Sequence, residues 1–276
     1  MNKDKMYGFR FFKGVLGPLF KLYYNPTIVG SENIPDNGSI LVVGNHIHIM
    51  DQCLPLLATK RPVHYIAKKE YFDNKKVAWF FKMAGCIPVD RSIKDANAKS
   101  EALKVLRAGY ALGLFPEGTR NALKDEKIKN LYNICKNKYN DYDLFRKMLK
   151  KQRTSQVLYL EQLVRDNVIL DEDFIDNICC VNKYLLDLVK DNIITNKDYE
   201  NSLLLPFKFG AVSMAQKTDS YLIPFGISGD YKFRSKNLIV VIGKPFKVGN
   251  DLEKANERLR NEVLSLIEES KKMSGK

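Results

Sequence analysis

The chain has 276 residues, 45% of them hydrophobic, so it can bury a sizeable core, and either one large domain or one domain with an insertion is expected. Its five cysteines form neither a disulfide framework nor a paired C-x-x-C metal motif, which indicates a reducing cytoplasm. The net charge of +13 favours an anionic partner, and without an RNA-recognition sequence, helix-turn-helix signature or zinc finger, a membrane or acidic substrate is favoured over nucleic acid.

The first 24 residues mix aromatic and aliphatic residues with cations, as in the run MYGFRFFKGVLGPLFKLYY. Arg10, Lys13 and Lys21 interrupt the apolar residues, so no uncharged run reaches the roughly 20 residues that a membrane-crossing helix needs, and no secretory signal is expected. Residues 1–24 are predicted to be an amphipathic membrane-associating segment, and a helix packed on the protein's own core is the alternative. The pair Gly17-Pro18 is predicted to kink or break any helix there.

Short apolar runs bounded by turn residues alternate with helical patterns, which predicts an α/β domain with an at least partly parallel sheet. The predicted strands are residues 39–44, 63–67, 86–89, 112–115, 221–227 and 238–243. The predicted helices are residues 51–59, 76–84, 94–108 and 208–217. A final helix is predicted after Asn250-Asp251, because apolar residues then recur at three- and four-residue spacing behind a plausible cap.

Residues 123–202 interrupt this alternation with a stretch rich in Lys, Asn, Asp and Leu that is helical in period. They carry 14 basic and 14 acidic residues, so the excess positive charge lies in the rest of the chain. Within them, residues 163–177 and 188–202 match at a spacing of 25, and Asp171 and Thr195 stand where helix caps are expected. The stretch is therefore predicted to be a helical insertion subdomain, whose acidic cluster is a solvated helix start rather than a calcium loop.

Two of the three histidines, His46 and His48, follow a predicted strand in the run VVGNHIHIMDQ, residues 42–52. Open α/β folds place their sites at such strand ends. If Asp51 turns back to His46, it fixes the imidazole tautomer and makes the other ring nitrogen a better base, and the nucleophile can then be a hydroxyl of the substrate. A loop hydrogen bond with no catalytic role is the structural alternative. A metal site that also uses His48 and Cys53 is less favoured, because the spacing does not match structural zinc.

A second polar cluster follows a predicted strand in the run GLFPEGTRNA, residues 113–122. Arg120 can bind a phosphate with two hydrogen bonds, Gly118 lets backbone amides approach an anion, and Thr119 can donate one more. Glu117 would repel a phosphate, so it is expected to position Arg120 or a substrate hydroxyl. Arg91 follows another strand end, in GCIPVDRS, and is a further candidate phosphate ligand.

These residues resemble the lysophosphatidic acid acyltransferase family of glycerolipid acyltransferases. The family's first motif, N-H-x-x-x-x-D, is complete from Asn45 to Asp51, and the second, G-x-I-x-V-D-R, is similar to residues 85–91. The third, F-P-E-G-T-R, is complete at residues 115–120, and the fourth, an apolar-Pro strand, resembles LIPFGI at residues 222–227.

The resemblance covers residues 25–122 and 203–248 and implies a glycerolipid acyltransferase-like α/β fold, with a mixed, mostly parallel central sheet flanked by helices. The acyltransferase domain would then comprise residues 25–122 and 203–276. The implied reaction moves a fatty acyl group from acyl-CoA or acyl carrier protein to the free hydroxyl of lysophosphatidic acid, giving phosphatidic acid in phospholipid biosynthesis, with no cofactor or metal. The implied location is an anionic membrane surface, with the chain as a peripheral protein on the cytoplasmic face of the cell membrane.

By the same resemblance, His46 is the general base and Asp51 orients it. The resemblance also implies that five residues bind the glycerol phosphate of the acceptor and that Lys68 adds to the same positive site; the five are Arg91, Glu117, Gly118, Thr119 and Arg120. Two alternatives remain open. One is the same chemistry on another lysophospholipid, glycerol 3-phosphate or an ornithine lipid, and the other is a non-catalytic membrane-binding module.

The chain departs from the family pattern at three places. His48 stands where relatives often have a small polar residue, and Asn121 stands where serine is common. The family passes from the third motif to a segment like LPFKFGAVSMA within about a dozen residues, whereas this chain interposes about 80 more. The inserted residues are consistent with a lid, a protein-docking surface or a neutral passenger.

Overall fold

The computed structural model describes residues 3–90, 92–93 and 95–274. The chain divides into two compact units. The first unit comprises the residues up to Gly118 and those from Phe207 onward, and the second unit is Thr119–Pro206. The predicted insertion, residues 123–202, lies inside the second unit.

The described part of the first unit contains one eight-stranded sheet. Its strands are β1 (Thr27–Val29), β2 (Ile40–Gly44), β3 (Val63–Lys68), β4 (Ile87–Val89), β5 (Ala111–Leu114), β6 (Tyr221–Ser228), β7 (Ile239–Ile242) and β8 (Phe246–Lys247). They are ordered β1-β7-β6-β2-β5-β3-β4, and β8 pairs with β6. The pairs β6–β7 and β6–β8 are antiparallel and the other five are parallel, which confirms the α/β class with a mixed, mostly parallel sheet.

Strand β2 lies at the centre of this sheet, between β5 and β6. All five of its residues are buried, as expected of a parallel strand covered on both faces. Because β2, β3, β4, β5 and β6 run parallel, their carboxyl ends lie at the same edge of the sheet. The first and third motifs follow the ends of β2 and β5, and the fourth motif lies within β6.

The helices of the described residues are numbered along the chain. They are α1 (Lys3–Tyr24), α2 (Cys53–Ala58), α3 (Glu70–Asp73), α4 (Ala78–Met83), α5 (Ala96–Arg107), α6 (Asp125–Cys135), α7 (Tyr142–Leu149), α8 (Thr154–Arg165), α9 (Asp171–Asn177), α10 (Val181–Lys190), α11 (Asn196–Ser202), α12 (Gly210–Thr218) and α13 (Leu252–Met273). The final helix is confirmed, and Asp251 caps it by accepting hydrogen bonds from the backbone amides of Glu253 and Lys254.

Helix α1 runs through Gly17-Pro18, so the prediction of a break there was wrong, whereas a kink stays a prediction. Proline leaves the carbonyl four residues earlier without its helical partner, but Gly14 and Pro18 are both exposed, so water can reach that carbonyl. One face of α1 is buried through Phe9 and Phe20. Several large apolar side chains remain exposed on it, namely Phe11, Val15, Leu16, Leu19, Leu22 and Tyr23.

Among the residues that the structure describes, no helix is both long enough and apolar enough to cross a bilayer.

The second unit contains helices α6 to α11, and the 25-residue repeat appears as two helix pairs, α8–α9 and α10–α11. After the first helix of each pair, an asparagine adopts a left-handed conformation, Asn167 with φ 55° and Asn192 with φ 57°. Thr195 caps α11 as predicted, accepting from the amide of Asp198. The predicted cap at Asp171 was wrong: the cap position is Leu170, which aligns with Thr195 in the repeat but has no side-chain acceptor, and Asp171 is the first helical residue.

Asn121 joins the two ends of the second unit. Its Nδ2 donates to the carbonyl of Leu203 at 3.0 Å and to Oγ of Ser155 at 2.8 Å, and its Oδ1 accepts from the amide of Ser155 at 2.9 Å. Asparagine has both a donor and an acceptor and can bridge these groups, whereas a serine hydroxyl is too short to do so. The departure from the family pattern at this position therefore accompanies the insertion.

Candidate active site

The site lies at the carboxyl end of β2, where the side chain of Asn45 holds the backbone in place directly after the strand. Asn45 is fully buried, and its side chain pairs with a single residue of β6. Nδ2 donates to the carbonyl of Ile227 at 2.9 Å, and Oδ1 accepts from the amide of Ile227 at 2.8 Å. The backbone pairing of β2 with β6 ends at Gly44, and these two side-chain bonds continue the contact with β6 by one residue. The next residue, His46, is thereby held at the edge of the sheet.

The structure brings His46 and Asp51 into direct contact. Nδ1 of His46 lies 2.8 Å from Oδ2 of the fully buried Asp51. The same oxygen accepts from the amides of Ile47 and His48, at 2.6 and 2.7 Å, so the turn folds around the carboxylate. Because a carboxylate only accepts, Nδ1 carries the hydrogen, and Nε2 is the ring nitrogen that can take a proton. The following helix, α2, begins at Cys53, slightly later than predicted.

Tyr231 holds the other oxygen of the same carboxylate and was missed in the sequence. Its hydroxyl donates to Oδ1 of Asp51 at 2.6 Å from the segment that follows β6. Burial, and then the negative charge of Asp51, raise the pKa of Tyr231 far above its usual value, so the hydroxyl remains a donor. A separation of 180 residues gives no local spacing from which this contact could be predicted.

Glu117 was expected to position Arg120 or a substrate hydroxyl, and in the structure its carboxylate binds the backbone of His46. It is 4% exposed, and its Oε1 accepts from the amide of His46 at 2.8 Å. Its charge also acts on Arg260 of α13: burial lowers the pKa of Arg260, and Glu117 opposes that shift. The ring of Phe115 stacks on the ring of His46 with centroids 4.0 Å apart. The segment after β5 thus fixes both the backbone and the ring plane of His46.

Gly118 adopts a left-handed conformation and lies against the side chain of Lys208. Its φ of +70° favours glycine, and a Cβ at this position would lie 2.8 Å from Nζ of Lys208, whose flexible side chain would have to move. Lys208 is tied to the same turn because its amide donates to the carbonyl of Pro116 at 2.9 Å. Lys208, in the run LPFKFG, is therefore a cation beside the third motif that sequence reasoning missed.

The remaining predicted ligands are Lys68, Thr119, Arg120 and Arg91. Lys68 is the exposed last residue of β3, at the carboxyl edge of the sheet. Thr119 and Arg120 begin the second unit, and the Arg120 side chain is exposed. Arg91 lies outside the described residues.

Two further side chains near the pair are those of His48 and Cys53, which the sequence offered as metal ligands. The ring of His48 stacks on the ring of Tyr231 at 4.0 Å, and its Nδ1 accepts from the amide of Met50 at 3.3 Å. Burial, and then the charge of Asp51, raise the pKa of Cys53 to about 12, so its thiol is neutral at physiological pH. No group of three His, Cys, Asp or Glu residues among those described is placed to hold a metal ion.

Comparisons with known proteins show which sequences and structures are similar to this chain. A family model described as Acyltransferase matches residues 25–228. A 1-acyl-sn-glycerol-3-phosphate acyltransferase from Borreliella burgdorferi is 37% identical over 103 residues, covering 37% of this chain and 41% of that protein. The protein of the same name from Bacillus subtilis is 29% identical over 115 residues, covering 41% of this chain and 58% of that one. The chain spans about half the length of the curated relatives it matches.

A solved structure has a similar fold. The crystal structure of the 1-acyl-sn-glycerophosphate (LPA) acyltransferase PlsC from Thermotoga maritima superimposes with a TM-score of 0.57 and 19% sequence identity. The superposition covers 96% of this chain and 80% of that one.

Proposed function

The chain belongs to the acyltransferase family, and from that premise we propose that it acylates the free hydroxyl of lysophosphatidic acid, giving phosphatidic acid in phospholipid biosynthesis. The observation that carries the proposal is the 2.8 Å contact between Nδ1 of His46 and the buried carboxylate of Asp51. The curated relatives named above are 1-acyl-sn-glycerol-3-phosphate acyltransferases, which supports this acceptor.

The proposed step is a direct transfer. Nε2 of His46 takes the proton of the acceptor hydroxyl while its oxygen forms an ester bond to the acyl carbonyl carbon. The carbon–sulfur bond of the thioester then breaks, and the leaving thiolate receives the proton from the imidazolium. Asp51 keeps the imidazole oriented and stabilises its charged form. An acyl-enzyme through Cys53 is disfavoured, because its thiol is protonated at physiological pH.

We assign the phosphate of the acceptor to cations and backbone amides of the second and third motifs and to Lys68. Gly118, Thr119 and Arg120 would bind it through amide, hydroxyl and guanidinium donors, and Arg91 and Lys68 would add positive charge. Glu117 would act through the backbone of His46. No cofactor or metal ion is required in this scheme, since the thioester supplies the activated acyl group.

The proposed location of the enzyme is an anionic membrane surface on the cytoplasmic face of the cell membrane. Helix α1 combines exposed apolar side chains with nearby cations, as interfacial helices do. Burial, and then repulsion from Lys21 and Lys60, lower the pKa of Lys13. An anionic lipid headgroup would relieve that repulsion. Both acyl-CoA and acyl carrier protein are suitable donors, and each would deliver its thioester from water to this surface.

Purified protein offered a panel of acceptors with each thioester tests the proposal. Lysophosphatidic acid in anionic micelles should give labelled phosphatidic acid with acyl-CoA, acyl carrier protein or both, and the His46→Ala variant should give none. If product forms only with another lysophospholipid, glycerol 3-phosphate or an ornithine lipid, the proposed acyl transfer stands but the proposed acceptor is wrong. A lack of product with every pair would instead favour a non-catalytic membrane-binding module.

A further inference from the structure

Tyr231 is held in a single orientation beside the His46–Asp51 pair. Its ring stacks on His48, with centroids 4.0 Å apart and planes 20° apart, and meets the ring of Tyr24 from α1 edge-on at 5.5 Å. With the ring fixed by both neighbours, the hydroxyl points at Oδ1 of Asp51, 2.6 Å away.

The two oxygens of Asp51 are held in different ways. Oδ2 accepts from Nδ1 of His46 and from two backbone amides of the turn. Oδ1 accepts from the hydroxyl of Tyr231. The titratable groups that face this hydroxyl are Asp51, Cys53, Tyr24 and His48. A donor on Oδ1 draws negative charge away from Oδ2, and it also prevents the carboxylate from rotating.

We propose that Tyr231 is a positioning residue for acyl transfer, which acts through Asp51 on the orientation and basicity of His46. Its kinetic consequences rest on the proposed function, but its spectroscopic consequence does not. The competing explanation is that Tyr231 only fills space between α1 and the turn. Replacing tyrosine with phenylalanine separates the two, because Tyr231→Phe keeps both ring contacts and removes the hydroxyl alone.

The kinetic test measures kcat and KM for the acceptor across pH. Loss of a hydrogen bond to a charged group should lower kcat about ten-fold or more, with KM changed less than about two-fold. Oδ2 then carries more charge and stabilises the imidazolium, so the acid limb of the kcat/KM profile should move to higher pH. Tyr110→Phe, before β5 at the other edge of the sheet, is the matched control.

A double substitution tests whether Tyr231 acts through Asp51. In an Asp51→Asn background, adding Tyr231→Phe should change kcat less than about two-fold, because the charge that it modulates is already gone. The proposal is overturned if Tyr231→Phe lowers kcat by the same factor in the Asp51→Asn background as in the native chain. It is also overturned if Tyr231→Phe alone has the kcat and pH profile of the native chain.

The spectroscopic test needs no substrate. The chain has only three histidines, so the Nδ1 proton of His46 can be assigned in 15N-histidine-labelled protein. Tyr231→Phe should move this resonance downfield, as its hydrogen bond to Oδ2 strengthens. Replacing the tyrosines with the more acidic 3-fluorotyrosine should move it upfield, which provides a second measurement if the phenylalanine variant fails to fold. An unmoved resonance refutes the positioning role, whereas moved resonances in a chain without acyl transfer refute only the proposed function.

Discussion

Asp51 is the residue on which the candidate site depends most. It accepts four hydrogen bonds, from one histidine, one tyrosine and two backbone amides, and three of these donors lie within five residues of it in sequence. The side chain that would move a proton is nevertheless His46, whose imidazole is 15% exposed, whereas Asp51 is fully enclosed. Substitutions at the two positions should therefore have different effects.

For the pair itself, we expect His46→Ala to lower kcat by about a hundred- to ten-thousand-fold, the usual contribution of positioned proton transfer. Asp51→Asn should cost less, because an amide can still accept from the turn although it lacks the charge. Initial rates with lysophosphatidic acid measure both effects, and circular dichroism checks that each variant is folded. Equal losses in His46→Ala and His48→Ala would contradict the general-base assignment and indicate a two-histidine or metal site.

For the acceptor phosphate, Arg120→Ala should raise KM for lysophosphatidic acid by roughly ten- to a hundred-fold, the effect of losing about 1.5 to 3 kcal/mol of charge-assisted hydrogen bonding. Arg107→Ala is the matched control, an exposed arginine at the end of α5. Its KM should stay at the native value. If Arg120→Ala raises KM for the thioester instead, the arginine binds phosphates of the donor.

At the scale of elements, the junction of β2 and β6 carries the site. Asn45 satisfies both the amide and the carbonyl of Ile227, and all of these groups are buried. The pairing of β2 and β6 and the position of His46 therefore depend on the same side chain.

We expect Asn45→Ala to lower the free energy of unfolding by about 2 kcal/mol or more, because it leaves two buried backbone groups without partners. Urea titration of the intact chain measures this. Asn97→Ala, at an exposed position in the first turn of α5, should change the free energy by less than about 0.5 kcal/mol. A stability loss no larger than that of the control would mean that water replaces the lost amide.

Helix α1 yields a prediction about membrane binding. Leu19 and Leu22 are 56% and 66% exposed, so changing both to serine removes apolar area available to a bilayer without opening the core. Affinity for vesicles containing phosphatidylglycerol should fall at least about ten-fold. The matched control changes Leu144 and Leu170 of the second unit, which are 55% and 70% exposed. Equal losses in the two double variants would show that α1 has no special role.

At the scale of the whole molecule, the sequence predicted the parts that depend on local pattern. All six predicted strands are present, because buried parallel strands are continuous apolar runs. Strand β8, with two residues, is too short to give such a signal, and β1 is an edge strand in which no residue is fully buried. The His46–Asp51 contact was predictable because it spans five residues. The contacts of Tyr231, Lys208 and Arg260 were not, because only the folded sheet brings them to the site.

The second unit offers a prediction about the independence of the insertion. Asn121 bonds to the carbonyl of Leu203, so the two ends of the second unit lie side by side and a short linker can join them. Replacing residues 123–202 with a Gly/Ser linker should leave a soluble protein that still transfers acyl groups, since loop closure costs only about 0.6 kcal/mol per doubling of length. Free thiol and lipid product should form in equal amounts. Excess thiol would indicate that the insertion is a lid that excludes water, and an insoluble chain would contradict independence.

The central position of β2 has a consequence for how the sheet forms while the chain is being synthesised. One neighbour of β2 is β5, which ends at Leu114. The other neighbour is β6, which begins at Tyr221, roughly 100 residues later in the chain. A ribosome adding about 5 to 20 residues per second needs roughly 5 to 20 s for that stretch. During this time β2 has one open hydrogen-bonding edge, and Asn45 has no Ile227 to bind. The nascent chain therefore carries a strand edge that can pair with other strands, and the candidate site can form only after the whole insertion has been translated.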